Sequence, residues 1–318
     1  MATKYTVIIA GSSHNSLAAT QSLLNNPHFA VVSILTPAPK PAGKKQLLIN
    51  NPLHQFALEN NIPLWLITNR LKDLQETILT TSPPDFLFVV DFGYFIPSWL
   101  LNWPKIAPLN LHPSALPKYR GASPGQFVIL HDERESALTL MKLNSQLDQG
   151  DIIYQHFFSV NECWRAADYY QHAFNKNNLS LINQAILDFA AQKITSQPQP
   201  TATPTPLARE LTKNDGFIPL DILFAALDPS QSFSQIFPSF DSQQSLPSNP
   251  PSSLISASPR AIDRAVHAFY PFPIVWTLIP TSQGPKRVKL LNSAISSSNK
   301  LLLTQVQLEG KPAKTLTF

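Results

Sequence analysis

The alternation of short continuous apolar runs with amphipathic stretches, through residues 1–142, is the feature that most constrains this chain. Runs at 5–10, 30–36, 62–67, 85–90, 107–111 and 137–142 read as strands, and the stretches at 16–24, 51–60 and 70–79 between them as helices. Apolar strands that do not alternate with polar residues must be covered on both faces, which predicts an α/β fold with a doubly wound, mostly parallel sheet. Chemistry in such sheets gathers at the carboxyl ends of the strands. A longer amphipathic stretch at 166–192 closes this part as one helix.

The pattern then changes. Residues 195–207, TSQPQPTATPTPL, carry proline at every second or third position without apolar periodicity, the signature of a stiff, extended linker. This divides the chain into a catalytic domain at 1–194, a Pro-rich linker at 195–208 and a smaller β domain at 209–318. A Ser/Pro-rich segment at 228–258 reads as an irregular insertion. Beyond it, 260–269 is expected to be helical and 274–279, 287–291 and 301–308 to be strands. Sixteen of the thirty prolines follow Ile194, so the proline excess belongs mainly to this second part.

Composition excludes several classes. One cysteine, Cys163, cannot build a disulfide framework or a multi-thiolate metal site, and a reducing cytoplasm is the expected compartment. No apolar run has the length of a membrane span or signal peptide, and the eight histidines show no helix-borne metal spacing, so neither membrane nor metal is expected. The turn Gly11-Ser12-Ser13 lacks a dinucleotide fingerprint, and no phosphate loop or nucleophile elbow is present. Lys and Arg against Asp and Glu number 14 to 13 in residues 1–208, 2 to 5 in 209–258 and 8 to 2 in 259–318. The positive charge is concentrated in the tail, as a nucleic-acid partner requires.

Three segments can carry chemistry. Asn110 and His112 are two residues apart at the end of an expected strand, on one face, and Pro113 stops the strand there. An Asn amide donates to a developing oxyanion, and a His donates to it or carries a proton. The plainer reading is a histidine hydrogen-bonded at a strand end. Asp148, in the loop LDQGD, can orient His112 and raise its pKa, or can simply close its own turn. The loop at 36–45 holds three prolines with Lys40, Lys44 and Lys45, which are either solvated lysines or a phosphate contact.

The segment NLHPSALPKYRGASPGQ at 110–126, with LDQGD at 147–151, resembles the signature motifs of the formyltetrahydrofolate-dependent formyltransferases. The resemblance implies a formyltransferase-type, Rossmann-like sheet with a smaller, shortened, OB-like C-terminal β-barrel. The implied reaction moves a formyl group from 10-formyltetrahydrofolate to the amino group of methionyl-tRNA, as in translation initiation, with Asn110, His112 and Asp148 as the catalytic trio. It also implies folate contacts at Val90, Asp91, Gly93, Ser114, Leu116 and Pro117, and tRNA contacts at Lys40, Lys44, Lys45 and Arg120. The loop PAPKPAGKK, with TKNDGFIPLD and IDRAVHAFYPFPIVWT in the tail, extends the likeness over nearly the whole chain. A monomer is expected. Two other readings share the motifs: a formyltransferase acting on a sugar-nucleotide amine, and a non-catalytic folate- or RNA-binding relative.

Overall fold

The computed structural model describes residues 4–42, 46–231, 236 and 254–316. Nine strands lie in the N-terminal part: β1 (Tyr5–Gly11), β2 (Phe29–Pro37), β3 (Lys40–Ala42), β4 (Leu47–Ile49), β5 (Leu64–Ile67), β6 (Phe86–Val90), β7 (Ala107–His112), β8 (Glu135–Lys142) and β9 (Ile152–Ser159). Seven of them form one sheet in the order β5-β2-β1-β6-β7-β8-β9, in which the first five run parallel and β8 runs against β7. Every residue of β6 is buried, as its unbroken apolar run requires. Ile8, Ala10, Leu35, Leu87 and Val89 form one face with Ile78, Leu100 and Trp65. Val7, Ile9, Phe86 and Phe88 alternate with them and are also buried, so neither face meets water.

The strand order reverses at β1, whose neighbours are β2 on one side and β6 on the other. Crevices at the carboxyl end of such a reversal collect the chemistry of open α/β sheets. Helix α1 (His14–Leu24) starts there, capped by Ser13, whose hydroxyl accepts from Asn15 N and Ser16 N. A Cβ on Gly11 would collide with the Val90 carbonyl and the Ser16 side chain, so only glycine lets the chain turn from β1 into α1 this close to β6.

Helices α2 (Pro52–Glu59), α3 (Gln75–Leu79), α4 (Ser98–Leu101) and α5 (Pro124–Leu130) follow in chain order. The expected single helix at 166–192 is two, α6 (Ala166–Ala173) and α7 (Lys176–Ala190). Asn175 makes the break: its Oδ1 accepts from Asn178 N and caps α7, while its Nδ2 donates to the His172 carbonyl.

The chain forms two compact units whose membership interleaves. Residues 1–122, 135–158 and 170–207 make the first, and 123–134, 159–169 and 208–318 the second. Residues 195–207, expected as a stiff, extended linker, fall in the first unit. Proline removes an N–H but keeps its carbonyl, and this stretch uses its carbonyls and side chains as hydrogen-bond partners.

In the second unit, α8 (Leu220–Ala226) and α9 (Pro259–Ala268) accompany β10 (Val275–Ile279), β11 (Lys286–Ile295), β12 (Leu301–Leu308) and β13 (Lys314–Thr315). The four strands form an antiparallel sheet in that order, against which α9 packs on β11 and β12. Among the described residues the expected barrel is an open four-stranded sheet, extended by single parallel bridges from Phe217 to Trp276 and from Leu227 to Leu301. Of the proposed insertion at 228–258, residues 232–235 and 237–253 lie outside the described residues.

Candidate active site

Strand β7 ends in the polar pair Asn110 and His112. Asn110 is half-buried and pairs in register with Val89 of β6, and its amide is engaged by no described residue. His112, 4% exposed, is held at both ring nitrogens. Nδ1 lies 3.0 Å from Ser114 Oγ, and Nε2 lies 3.3 Å from both Asp148 Oδ2 and the Gly121 carbonyl.

The groups around this ring bear on its charge. Ser114 is fully buried, and its hydroxyl proton goes to the Lys118 carbonyl at 2.7 Å, so toward Nδ1 the serine can only accept. Nε2 faces a carboxylate and a carbonyl, which also only accept. An N–H on either nitrogen finds an acceptor here, so these surroundings favour the protonated ring. Burial alone lowers its pKa, but the Asp148 charge and hydrogen bond, the Gly121 carbonyl and the Asp91 charge together raise it above the ordinary value. Burial likewise raises the Asp148 pKa, and His112, the Gly121 amide and Arg120 outweigh it, so the carboxyl is held below its ordinary range.

Two loops carry this pair. After β7, Ser114 N, Leu116 N and Lys118 N donate back to carbonyls at 112, 114 and 115, which curls the chain tightly. Thr139 Oγ1 on β8 donates to the Ser114 carbonyl at 2.6 Å, and Gln155 Nε2 on β9 bonds both Thr139 Oγ1 and the Leu116 carbonyl. The Asp148 loop returns onto β8 so closely that a Cβ on Gly150 would overlap the Lys142 carbonyl. Asp148 itself sits in the left-handed region at φ 49°, and its Oδ2 accepts from Gly121 N at 2.7 Å.

The Asp91 carboxylate, at the end of β6, meets the start of α1. Its Oδ2 accepts from Ser13 Oγ at 2.7 Å and Asn15 Nδ2 at 2.8 Å. The positive end of α1 thus faces a carboxylate of the chain itself. Beside it, Gly93 opens onto free space, and Phe92 and Tyr94 pair at 5.2 Å between ring centres.

The expected site residues separate in space. Val90, Asp91 and Gly93 lie at the end of β6, beside Asn110. Ser114 and Leu116, expected to touch folate, are buried supports of the His112 loop; Pro117 is half-buried and its carbonyl accepts from Thr203. Arg120 requires correction. It is 3% exposed, and its guanidinium donates to Gln199 Oε1 and to the Pro200 and Thr201 carbonyls, which leaves it no face for an RNA phosphate. Lys40 is exposed on the β3–β4 hairpin, while Lys44 and Lys45 lie outside the described residues. Sequence reasoning missed Gln199, which has no local chemistry of its own and acts through partners distant in sequence. Among the described residues no three His, Cys, Asp or Glu gather as a metal site, and no helix is long and apolar enough to cross a membrane.

Comparison with known proteins agrees with this geometry. The methionyl-tRNA formyltransferase of Anaplasma marginale (strain St. Maries) is 38% identical over 149 residues, 47% of this chain and 49% of that protein. That of Ehrlichia ruminantium (strain Gardel) is 35% identical over 156 residues, 49% and 52% respectively. The chain spans about half the length of the curated relatives it matches. Two solved structures share the fold: the sugar 3N-formyl transferase WlaRD, with TM-score 0.55 at 18% identity over 93% of this chain and 88% of that one, and a methionyl-tRNA formyltransferase from Clostridium thermocellum, with TM-score 0.51 at 14% identity over 96% and 98%. The formyl transferase family model matches residues 3–186, which include the ends of β6 and β7 and the Asp148 loop. With the motif residues converging at one sheet edge and that model covering more than half its length, the chain belongs to the formyl transferase family.

Proposed function

We propose that the chain transfers a formyl group from 10-formyltetrahydrofolate to the α-amino group of methionyl-tRNA. The observation that carries the reading is the buried His112 ring held against Asp148, two residues from an unengaged Asn110 amide. The names of the curated relatives support the acceptor.

In this reading the end of β6 receives the pterin. Val90, Asp91 and Gly93 contact it there, where Gly93 leaves space, and the folate donor supplies the formyl carbon. Attack by the amine moves negative charge onto the formyl oxygen. Asn110 Nδ2 donates to that oxygen, and the His112 charge favours it through the low-dielectric surroundings. Both Nε2 contacts are long at 3.3 Å, against about 2.9 Å for a good N–H···O bond, so the oxyanion can replace one of them. As the amine forms its new bond its N–H becomes acidic. Asp148 Oδ1, which bonds no described residue, takes that proton although the Asp148 pKa is low; collapse of the oxyanion then breaks the bond from the formyl carbon to the folate nitrogen, which takes up the proton and leaves as tetrahydrofolate.

Residues 1–194 carry the chemistry, and 209–318 with Lys40, Lys44 and Lys45 contact tRNA phosphates. The protein acts as a cytoplasmic monomer. The test supplies purified protein with 10-formyltetrahydrofolate and either charged initiator tRNA or an amino-sugar nucleotide. Formyl-methionyl-tRNA is the expected product, and formylation of the sugar without the tRNA would overturn the reading.

A further inference from the structure

Gln199 lies in the proline-rich strap, outside every motif that marks the family resemblance. Its amide is used at both ends. Nε2 donates to the carbonyls of Asp148 (3.0 Å) and Gly150 (2.7 Å), and Oε1 accepts from Arg120 Nη2 (2.9 Å) and Nε (3.2 Å). The strap is fastened on both sides of this residue. Gln197 exchanges two backbone hydrogen bonds with Ile152, Thr203 Oγ1 donates to the Pro117 carbonyl, and Thr205 Oγ1 accepts from Tyr119 N. One segment therefore ties together the two loops that bring His112 and Asp148 into contact.

We propose that Gln199 is a positioning residue, which joins the carbonyls of the Asp148 loop to the Arg120 guanidinium and so keeps the Asp148 carboxylate on His112. The proposal rests on reading His112 and Asp148 as the catalytic pair; the identity of the formyl acceptor does not enter it. The site demands this residue type, because its carbonyls need two donors and the guanidinium needs an acceptor, and an uncharged amide supplies both. A glutamate keeps the acceptor and loses the donors, whereas a lysine keeps donors and repels Arg120. Asp148 also needs restraint, since a non-glycine residue at φ 49° is held there by its surroundings. The charged groups acting on the ring are Asp148 and Asp91, with Arg120 acting on Asp148; Ser114 and the Gly121 carbonyl complete its partners. When Asp148 swings away, the ring loses its principal counter-charge, and burial then drives it toward the neutral form.

The experiment follows the His112 resonances by NMR through a pH titration of the full chain without substrate, assigned with His112→Gln. It compares the unchanged protein with Gln199→Ala, Gln199→Met and Thr203→Ala. Both Gln199 variants are expected to titrate about half a unit or more lower at His112, with formylation kcat down about tenfold and KM within about twofold. Thr203→Ala loosens the strap without touching the Asp148 loop and leaves the titration in place. A folded Gln199 variant with an unmoved His112 titration overturns the proposal, as does an equal shift in Thr203→Ala. If Gln199→Ala does not fold, the near-isosteric and uncharged Gln199→Met carries the test. Failure to formylate methionyl-tRNA would refute the proposed acceptor and leave the NMR outcome intact.

Discussion

The end of β7 and the β3–β4 hairpin are opposite solutions within one unit. At the first, His112 is 4% exposed and Ser114 fully buried, and every polar atom of both side chains has a partner. At the second, Leu47, Leu48 and Ile49 are 63%, 70% and 56% exposed, and Lys40 stands in solvent. Under the proposed function, the difference follows from what each region must do. Stabilising a transient charge needs dipoles fixed before the reaction, in low dielectric. Meeting a polyanion needs accessible charge and surface that becomes covered only on contact. The buried site should therefore fail sharply when altered, and the exposed one gradually.

The largest effect expected is on turnover. Asn110→Ala, His112→Ala and Asp148→Asn should each lower kcat by about a hundredfold or more with the fold intact by circular dichroism. Full formylation by any of the three would remove that residue from the mechanism.

Stability comes next. Gly150→Ala places a Cβ on the Lys142 carbonyl, and moving that backbone should cost about 2 kcal/mol or more, seen as a lower Tm. An unchanged Tm would show that the loop yields and that the site is less fixed than its geometry implies.

The pH response is subtler. His112 has a raised native pKa, so its contribution to stability is full below the ordinary value of 6.5 and fades as pH rises through the native value. Asp148 has a lowered one, so its contribution is full above the ordinary 3.8 and fades as pH falls through the native value. Thermal melts of the unchanged protein against Asp148→Asn should differ most between those two limits and converge on either side. A difference that is flat with pH would deny the ion pair.

The hairpin should show the smallest effects. Lys40→Ala and Leu48→Ser should leave stability within about 0.5 kcal/mol. Lys40→Ala should reduce the slope of log tRNA affinity against log salt by about one, the loss of one phosphate contact. An unaltered slope would detach this hairpin from the RNA.

Much of this contrast was already legible along the chain. The buried strands declared themselves as unbroken apolar runs, since a sheet covered on both faces excludes polar residues from either side. Strand β9 escaped notice because IIYQHFFS is half-exposed and mixes polar and apolar residues without clear alternation. The break between α6 and α7 lay hidden in a continuous amphipathic pattern, because one asparagine serves as a cap without disturbing it. Arg120 reads as a phosphate ligand in sequence because a cation beside a glycine says nothing of its burial. Its acceptors lie about eighty residues away, on a strap whose prolines suggested a stiff linker between domains.

What the sequence by itself determined is the class of sheet, the strand ends where chemistry gathers, and the residue types Asn110, His112 and Asp148. These rest on hydrophobic periodicity and side-chain chemistry, which are local. Only the tertiary structure decided which nitrogen of His112 meets which oxygen, that the surroundings favour the charged ring, and that Gln199 and Arg120 meet beneath the Asp148 loop. Those facts depend on hydrogen bonds between groups far apart in the chain, and the pairing of distant partners emerges only when the backbone brings them within about 3 Å.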